Sequence, residues 1–142
     1  MKELDPIVWL PHFWFFLYST AHCYPDTPNS VTKRKYYDFV LNLPLYFPNA
    51  TCSNYFSRLL DTFPVTPYLD NKDSFTYWVH CIQNRMDQYL GLPEKTYLQH
   101  LDEYYEEYLP KQYVLSERRG ISKKYIIFGF IAILGAVAVT YS

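Results

Sequence analysis

Pro25, Pro28, Pro44, Pro48, Pro64, Pro67, Pro93 and Pro110 cut the first 110 residues into pieces of a few helical turns each. Proline lacks the backbone N–H and crowds the residue before it, so each of these positions ends a helix or keeps one from starting. Between the breaks, apolar residues recur at helical spacing, and five helices are expected. The first runs from about Pro11 to Cys23, with Pro11 accepted as an early helical residue and Tyr24-Pro25 ending it. The second follows Asn29 or Ser30 as its cap and lines up Tyr36, Phe39, Val40 and Leu43. The third opens near Asn49 to Thr51 and presents Tyr55, Phe56, Leu59, Leu60 and Phe63. The fourth starts after Asp73 or Ser74, carries Phe75, Trp78, Ile82, Met86 and Tyr89 inward, and stops at Gly91. The fifth covers about Lys95 to Leu109, with Leu98, Leu101, Tyr105 and Tyr108 as its stripe and its acidic residues on the solvated side. No strand-like alternation persists. Short amphipathic helices can bury their stripes only against one another, so the expected fold is all-α, a four-helix bundle plus a fifth helix over residues 1–109.

One domain is what 142 residues allow once appendages are set aside. Twenty per cent of the chain is aromatic, including sixteen tyrosines, which supplies large buried areas to a small core. A net charge of −1 gives nucleic acid nothing to bind. Cys23, Cys52 and Cys81 are too few and too scattered for a secreted disulfide framework, and are expected to be reduced thiols in a cytosol-facing domain. His12, His22, His80 and His100 form no pair at ligand spacing, so no metal site is expected.

The last eighteen residues, Tyr125 to Ser142, carry no charge. As a helix they reach about 25 Å, slightly less than the ~30 Å hydrocarbon layer. Gly129, Ala132, Gly135, Ala136 and Ala138 are the small residues that membrane helices use for close packing. Arg118, Arg119, Lys123 and Lys124 stand directly before the run, the positive flank of a cytosolic stop signal. The expectation is a C-terminal membrane anchor at 125–142, a basic juxtamembrane linker at 110–124 and a cytosol-facing domain before them. Ile7 to Tyr18 imitates a signal-peptide core, but Glu3, Asp5 and Pro11 argue against one. The Asn49-Ala50-Thr51 sequon is accordingly expected to stay unglycosylated.

Trp14-x-x-Leu17-x-x-x-Ala21-x-x-Tyr24-Pro25-x-x-Pro28, then Phe47-Pro48-x-x-x-Cys52-x-x-x-Phe56, is similar to the first half of Erv/ALR-type sulfhydryl oxidases, small helical FAD enzymes that make disulfides. Trp78, Asn84 and Leu90-Gly91-x-Pro93 extend the resemblance, which covers about Pro11 to Pro93. It implies the bundle fold, a flavin pocket lined by Trp14, Tyr18, Tyr24, Trp78, Gln83, Asn84 and Asp87, and a homodimer. It also exposes departures. The family's redox pair is Cys-x-x-Cys, and this chain has Asn49 where the first cysteine belongs, leaving Cys52 as a vestigial catalytic residue. A dithiol oxidase cycles between dithiol and disulfide, which one sulfur cannot do alone. Two family histidines are Tyr18 and Gln83 here, and an asparagine is Asp87, a negative charge beside an anionic cofactor.

Cys52 has two readings, a thiolate favoured by the helix N-terminus or a small buried residue at a tight helix start, and Asn49 makes a good helix cap for purely structural reasons. Cys23 and Cys81 are expected to act as small hydrophobes, with a bridge to Cys52 as the alternative. The function expected is a non-catalytic member of this fold, without FAD, reused as a membrane-anchored structural or interaction protein. A virion role linking an inner membrane to capsid proteins in a large DNA virus fits that combination. The alternative is an FAD-dependent thiol oxidase, or a one-cysteine relay that uses Cys52 and a partner's thiol.

Overall fold

The computed structural model describes residues 3–109. The basic linker and the expected membrane span at 110–142 lie outside the described residues. Five α-helices make up the described part: α1 (Pro6–His22), α2 (Ser30–Asn42), α3 (Ala50–Thr62), α4 (Lys72–Tyr89) and α5 (Tyr97–Glu106). Short 3-10 turns at Leu43–Tyr46 and Thr66–Tyr68 follow α2 and α3. The all-α expectation holds.

Each of the first four helices starts on an Asx side chain that accepts an amide of the first turn. Asp5 takes Ile7 N–H at 2.9 Å, Asn29 takes Thr32 at 2.8 Å, Asn49 takes Cys52 at 2.9 Å and Asn71 takes Ser74 at 2.9 Å. Such caps satisfy amides that no helical carbonyl can reach. They also shift two expected boundaries. α1 begins at Pro6 rather than Pro11, because Asp5 caps it and Pro6 takes a first-turn position. Pro11 therefore sits inside α1, and the carbonyl it leaves unpartnered belongs to exposed Ile7. α4 begins at Lys72, ahead of Asp73 and Ser74, on the Asn71 cap. For α5, Thr96 and Gln99 exchange side-chain and backbone hydrogen bonds at 2.7 and 3.2 Å, a reciprocal box across the first turn.

α4 is the hub, packed along α1 and touched by α3 and α5. Its Phe75, Trp78, Val79, Ile82 and Met86 are fully buried with Leu17, Ala21, Tyr24, Val40 and Phe56 from the other helices. Tyr89, expected inside, is exposed and stacks flat on Tyr55 at 3.8 Å. The α5 stripe is rotated from its expected place. Leu98, Tyr105 and Tyr108 are exposed, with Leu98 at 70%, and the buried residues are His100 and Tyr104. A ten-residue helix presents both stripes at similar spacing. His100 and Tyr104 face inward because their polar atoms meet partners there, which no leucine could use.

α4 ends in a left-handed residue, Gly91 at φ +74°. Leu92 N–H reaches back to the Asp87 carbonyl at 2.9 Å and Gly91 N–H to Gln88 at 3.1 Å, the Schellman pattern. Open space surrounds the position a Cβ would take. Gly91→Ala should therefore lower stability by about 1 kcal/mol through backbone strain alone. Denaturant melts should show that loss, with Gly91→Asn costing less than alanine.

Candidate functional site

Asn49 and Cys52 stand at the start of α3, on the cap and third positions. Asn49 Oδ1 accepts the Cys52 N–H, and its Nδ2 donates to Glu3 Oε2 at 3.2 Å. Both residues are buried, Cys52 at 2% exposure. The helix N-terminus does not yield a thiolate. Burial, then the Glu3 carboxylate, push the Cys52 thiol up from its ordinary value. Desolvation can move a buried group by several pK units, whereas a helix terminus contributes about 0.3–1 kcal/mol, so burial wins. All three cysteines are free thiols. The alternative bridge to Cys52 is absent, and Cys23 lies exposed at the end of α1 rather than in an apolar face. Glycosylation at Asn49 is incompatible with a buried side chain that holds two hydrogen bonds.

The residues expected to line a cofactor pocket are all buried, but they divide into two groups. Trp14, Tyr24, Trp78 and Asn84 serve the fold. Trp14 lies edge-on to Phe13 at 4.9 Å and beside Phe56. Tyr24 donates to the Leu69 carbonyl at 2.7 Å, and Trp78 Nε1 to the Phe63 carbonyl at 3.2 Å. Asn84 uses both ends of its amide on the Lys95 backbone, donating to its carbonyl at 2.8 Å and accepting its N–H at 3.1 Å. That clamp ties α4 to the segment entering α5.

Tyr18, Gln83 and Asp87 form the second group, and the structure joins them to two residues that sequence spacing had set apart. Thr76, His80, Gln83, Asn84 and Asp87 are buried along one flank of α4, a polar stripe next to the apolar one. His80 Nδ1 meets His100 Nδ1 of α5 at 2.9 Å. Across from them lies Tyr18, its ring 6.3 Å from that of His100. Tyr18 Oη, Gln83 Oε1 and His100 Nε2 are buried without a hydrogen-bond partner. Burial raises the Tyr18 phenol and, against the pull of Lys95, pushes the Asp87 carboxyl up to about 6. A signal for this stripe exists in the sequence: positions 76, 80, 83, 84 and 87 repeat at helical period, a polar stripe that apolar spacing alone does not reveal.

The Erv1 / Alr family model matches residues 11–108. The chain belongs to the Erv1 / Alr family. Its fold resembles the Erv1 core from yeast, with a TM-score of 0.64 at 17% identity over 73% of this chain and 86% of that one. The FAD-binding domain of Erv1 from Saccharomyces cerevisiae gives a TM-score of 0.64 at 17% identity, covering 72% of this chain and 96% of that chain. A cysteine-to-serine mutant of Erv1 from the same yeast gives 0.63 at 16% identity over 73% and 67%. No curated protein sequence matches the chain.

An Erv1 / Alr scaffold implies FAD, and the second group of residues tests that fit. Three unpartnered polar atoms suit a polar occupant such as ordered water, which needs two to four partners. A dinucleotide also brings a diphosphate, and this group offers it no free cation. Lys95, whose charge acts on Asp87 and His100, is already paired through Nζ with Glu103 at 2.7 Å. Asp87 adds a carboxylate. The set does not fit an anionic flavin nucleotide.

Asp87 tests the electrostatics of this pocket. Its folded value is raised, so the favourable protonated form is fully present below the ordinary carboxyl range and is lost as pH rises through about 6. Asp87→Asn should stabilise the protein at pH 7.5 by up to about 3 kcal/mol and make no difference near pH 4. Thermal melts at the two pH values read this directly. Asn49→Ala should cost about 1 kcal/mol at either pH, the loss of a helix cap.

Proposed function

We propose that this Erv1 / Alr chain is a non-catalytic member of its family, a structural or interaction protein built on the oxidase scaffold. One observation carries the reading: Asn49 caps α3 in the same way that Asn29 and Asn71 cap α2 and α4. The position of a redox sulfur has become an ordinary helix start. Cys52 behind it is buried, and its thiol is pushed away from the reactive thiolate. Thiol–disulfide exchange needs an accessible thiolate and a second sulfur.

The charge-free segment from Tyr125 to Ser142, preceded by four basic residues, supports anchoring to a membrane. With the anchor in the bilayer, the folded part is held at the cytosolic surface, where its exposed side chains meet other proteins. A span of about 25 Å suits a thin, reticulum-derived membrane, so a place between an inner virion membrane and its capsid layer is part of the proposal. A second copy of the chain is another candidate partner.

Purified protein should carry no yellow flavin and consume no oxygen with a dithiol substrate. A flavin absorbance band at stoichiometric level, or turnover that Cys52→Ala abolishes, would establish the thiol oxidase reading instead. For the anchor, Gly135→Arg should release the chain from membranes, since a mid-span arginine costs ~2.5 to 3.5 kcal/mol. Protease added from the cytosolic side should digest residues 3–109 of membrane-bound protein. Full protection inside sealed vesicles would reverse the topology.

A further inference from the structure

α5 rests on α1 and the core through Leu101, through Tyr104, which packs on Tyr18 and meets Ser19 Oγ at 3.2 Å, and through Tyr105, which bonds His22 at 2.9 Å. Its contact with α4 includes a buried polar side chain, His100. His100 is 1% exposed and shares a 2.9 Å contact between Nδ1 atoms with His80 of α4. Two Nδ1 atoms at that distance cannot both accept or both donate. One ring donates its proton and the other accepts it, so the acceptor ring is neutral, and burial disfavours charge on the donor as well. Protonating the acceptor would set two N–H groups against each other in a buried site.

Every element around the pair bears on that proton. From α4, Tyr77 packs on His80, and Asp87 lies along the same stripe. From α5 and the segment before it, Tyr97 packs on His80, Glu94 and Glu103 favour the charged imidazoles, and Lys95 opposes charge on His100. From α1, Tyr18 faces His100. Lys95 and Glu103 are bonded to each other, which blunts both. Burial prevails. It lowers His80, and together with the neighbouring imidazole it brings His100 down to about 4.

We propose that the His80–His100 pair is a proton-operated clasp, which holds α5 on α4 while both rings are neutral and releases α5 when the second ring takes up a proton. Both histidines have folded values below the ordinary 6.5, so docking is fully stable above that pH and weakens as pH falls toward 4. Asp87 works in the opposite sense, because its folded value near 6 lies above the ordinary one. Two imidazoles against one carboxyl leave a net uptake of at most about one proton on release, so opening should rise by up to about tenfold per pH unit between pH 6 and 5.

Hydrogen exchange on the full chain in mild detergent tests this. After correction for intrinsic rates, amides of 97–106 should lose protection by up to about tenfold from pH 6 to 5, while those of Trp78 to Met86 in α4 keep theirs. Constant protection of 97–106 would overturn the clasp, as would loss of both regions together. His80→Phe with His100→Phe should abolish the loss of protection toward low pH with α5 still docked, leaving only the opposite dependence of Asp87, and persistence of the acid-side loss in that variant would also overturn the proposal. Nitrogen-15 NMR of the native imidazoles decides independently of whether that variant folds. Complementary neutral tautomers at pH 6, protonating as α5 leaves, are expected. Titration near 6.5 with α5 in place would refute the clasp.

Discussion

A helix buried on two flanks keeps only a narrow solvent side, and the polar groups on its buried flanks cannot turn to it. α4 is such a helix, with Phe75, Trp78, Ile82 and Met86 on one flank and Thr76, His80, Gln83, Asn84 and Asp87 on the next. A buried polar group left unmatched costs about 1–3 kcal/mol, so the neighbours of α4 must answer its stripe in kind. Asn84 is matched by the Lys95 backbone, and His80 by His100. These bonds set where the segment after Pro93 runs and bear on which face α5 turns inward. The face that α5 turns inward combines this polar pairing with the packing of Leu101 and the Tyr104 ring on the core.

The same stripe bears on how the Erv1 / Alr scaffold keeps its fold while its polar positions change. The large aromatic residues shared with the family are engaged with this chain's own atoms: Tyr24 with the Leu69 carbonyl, Trp78 with the Phe63 carbonyl. These two bury large rings and pair their polar tips, which stabilises the bundle whatever occupies its interior, whereas Trp14 packs on Phe13 and Phe56 with its Nε1 unpartnered. The chemistry-bearing positions are free to change because the fold does not rest on them. At residue 49 an asparagine is locally better than a cysteine, since its side chain caps α3. At Tyr18 and Asp87 the polar interior stays polar, while its charge turns against an anionic ligand.

How much was legible beforehand varies with the range of the interaction. The helices, the caps at Asn29 and Asn49, and the stop at Gly91 depend on neighbours within about four residues, and they could be read in order along the chain. The cap at Asn71 lay just ahead of Asp73 and Ser74, two equally plausible caps. The start of α1 was hidden because Pro11 looked like a beginning when Asp5 and Pro6 had already supplied one. Cys52 stays open in the sequence between a thiolate and a buried residue, because helix position is visible there and burial, the larger effect on its thiol, is not.

The sequence by itself determined an all-α fold, the family and the loss of the paired sulfurs, since each depends on residue identity and short spacing. Only the tertiary structure decided that Asn84 is a clamp, that Cys52 is sealed from solvent, and that His80 and His100 meet across α4 and α5. Those facts depend on the rotation of one helix against another. That rotation is chosen by the sum of apolar burial and polar pairing over all contacting faces, and no stretch of chain carries that sum alone.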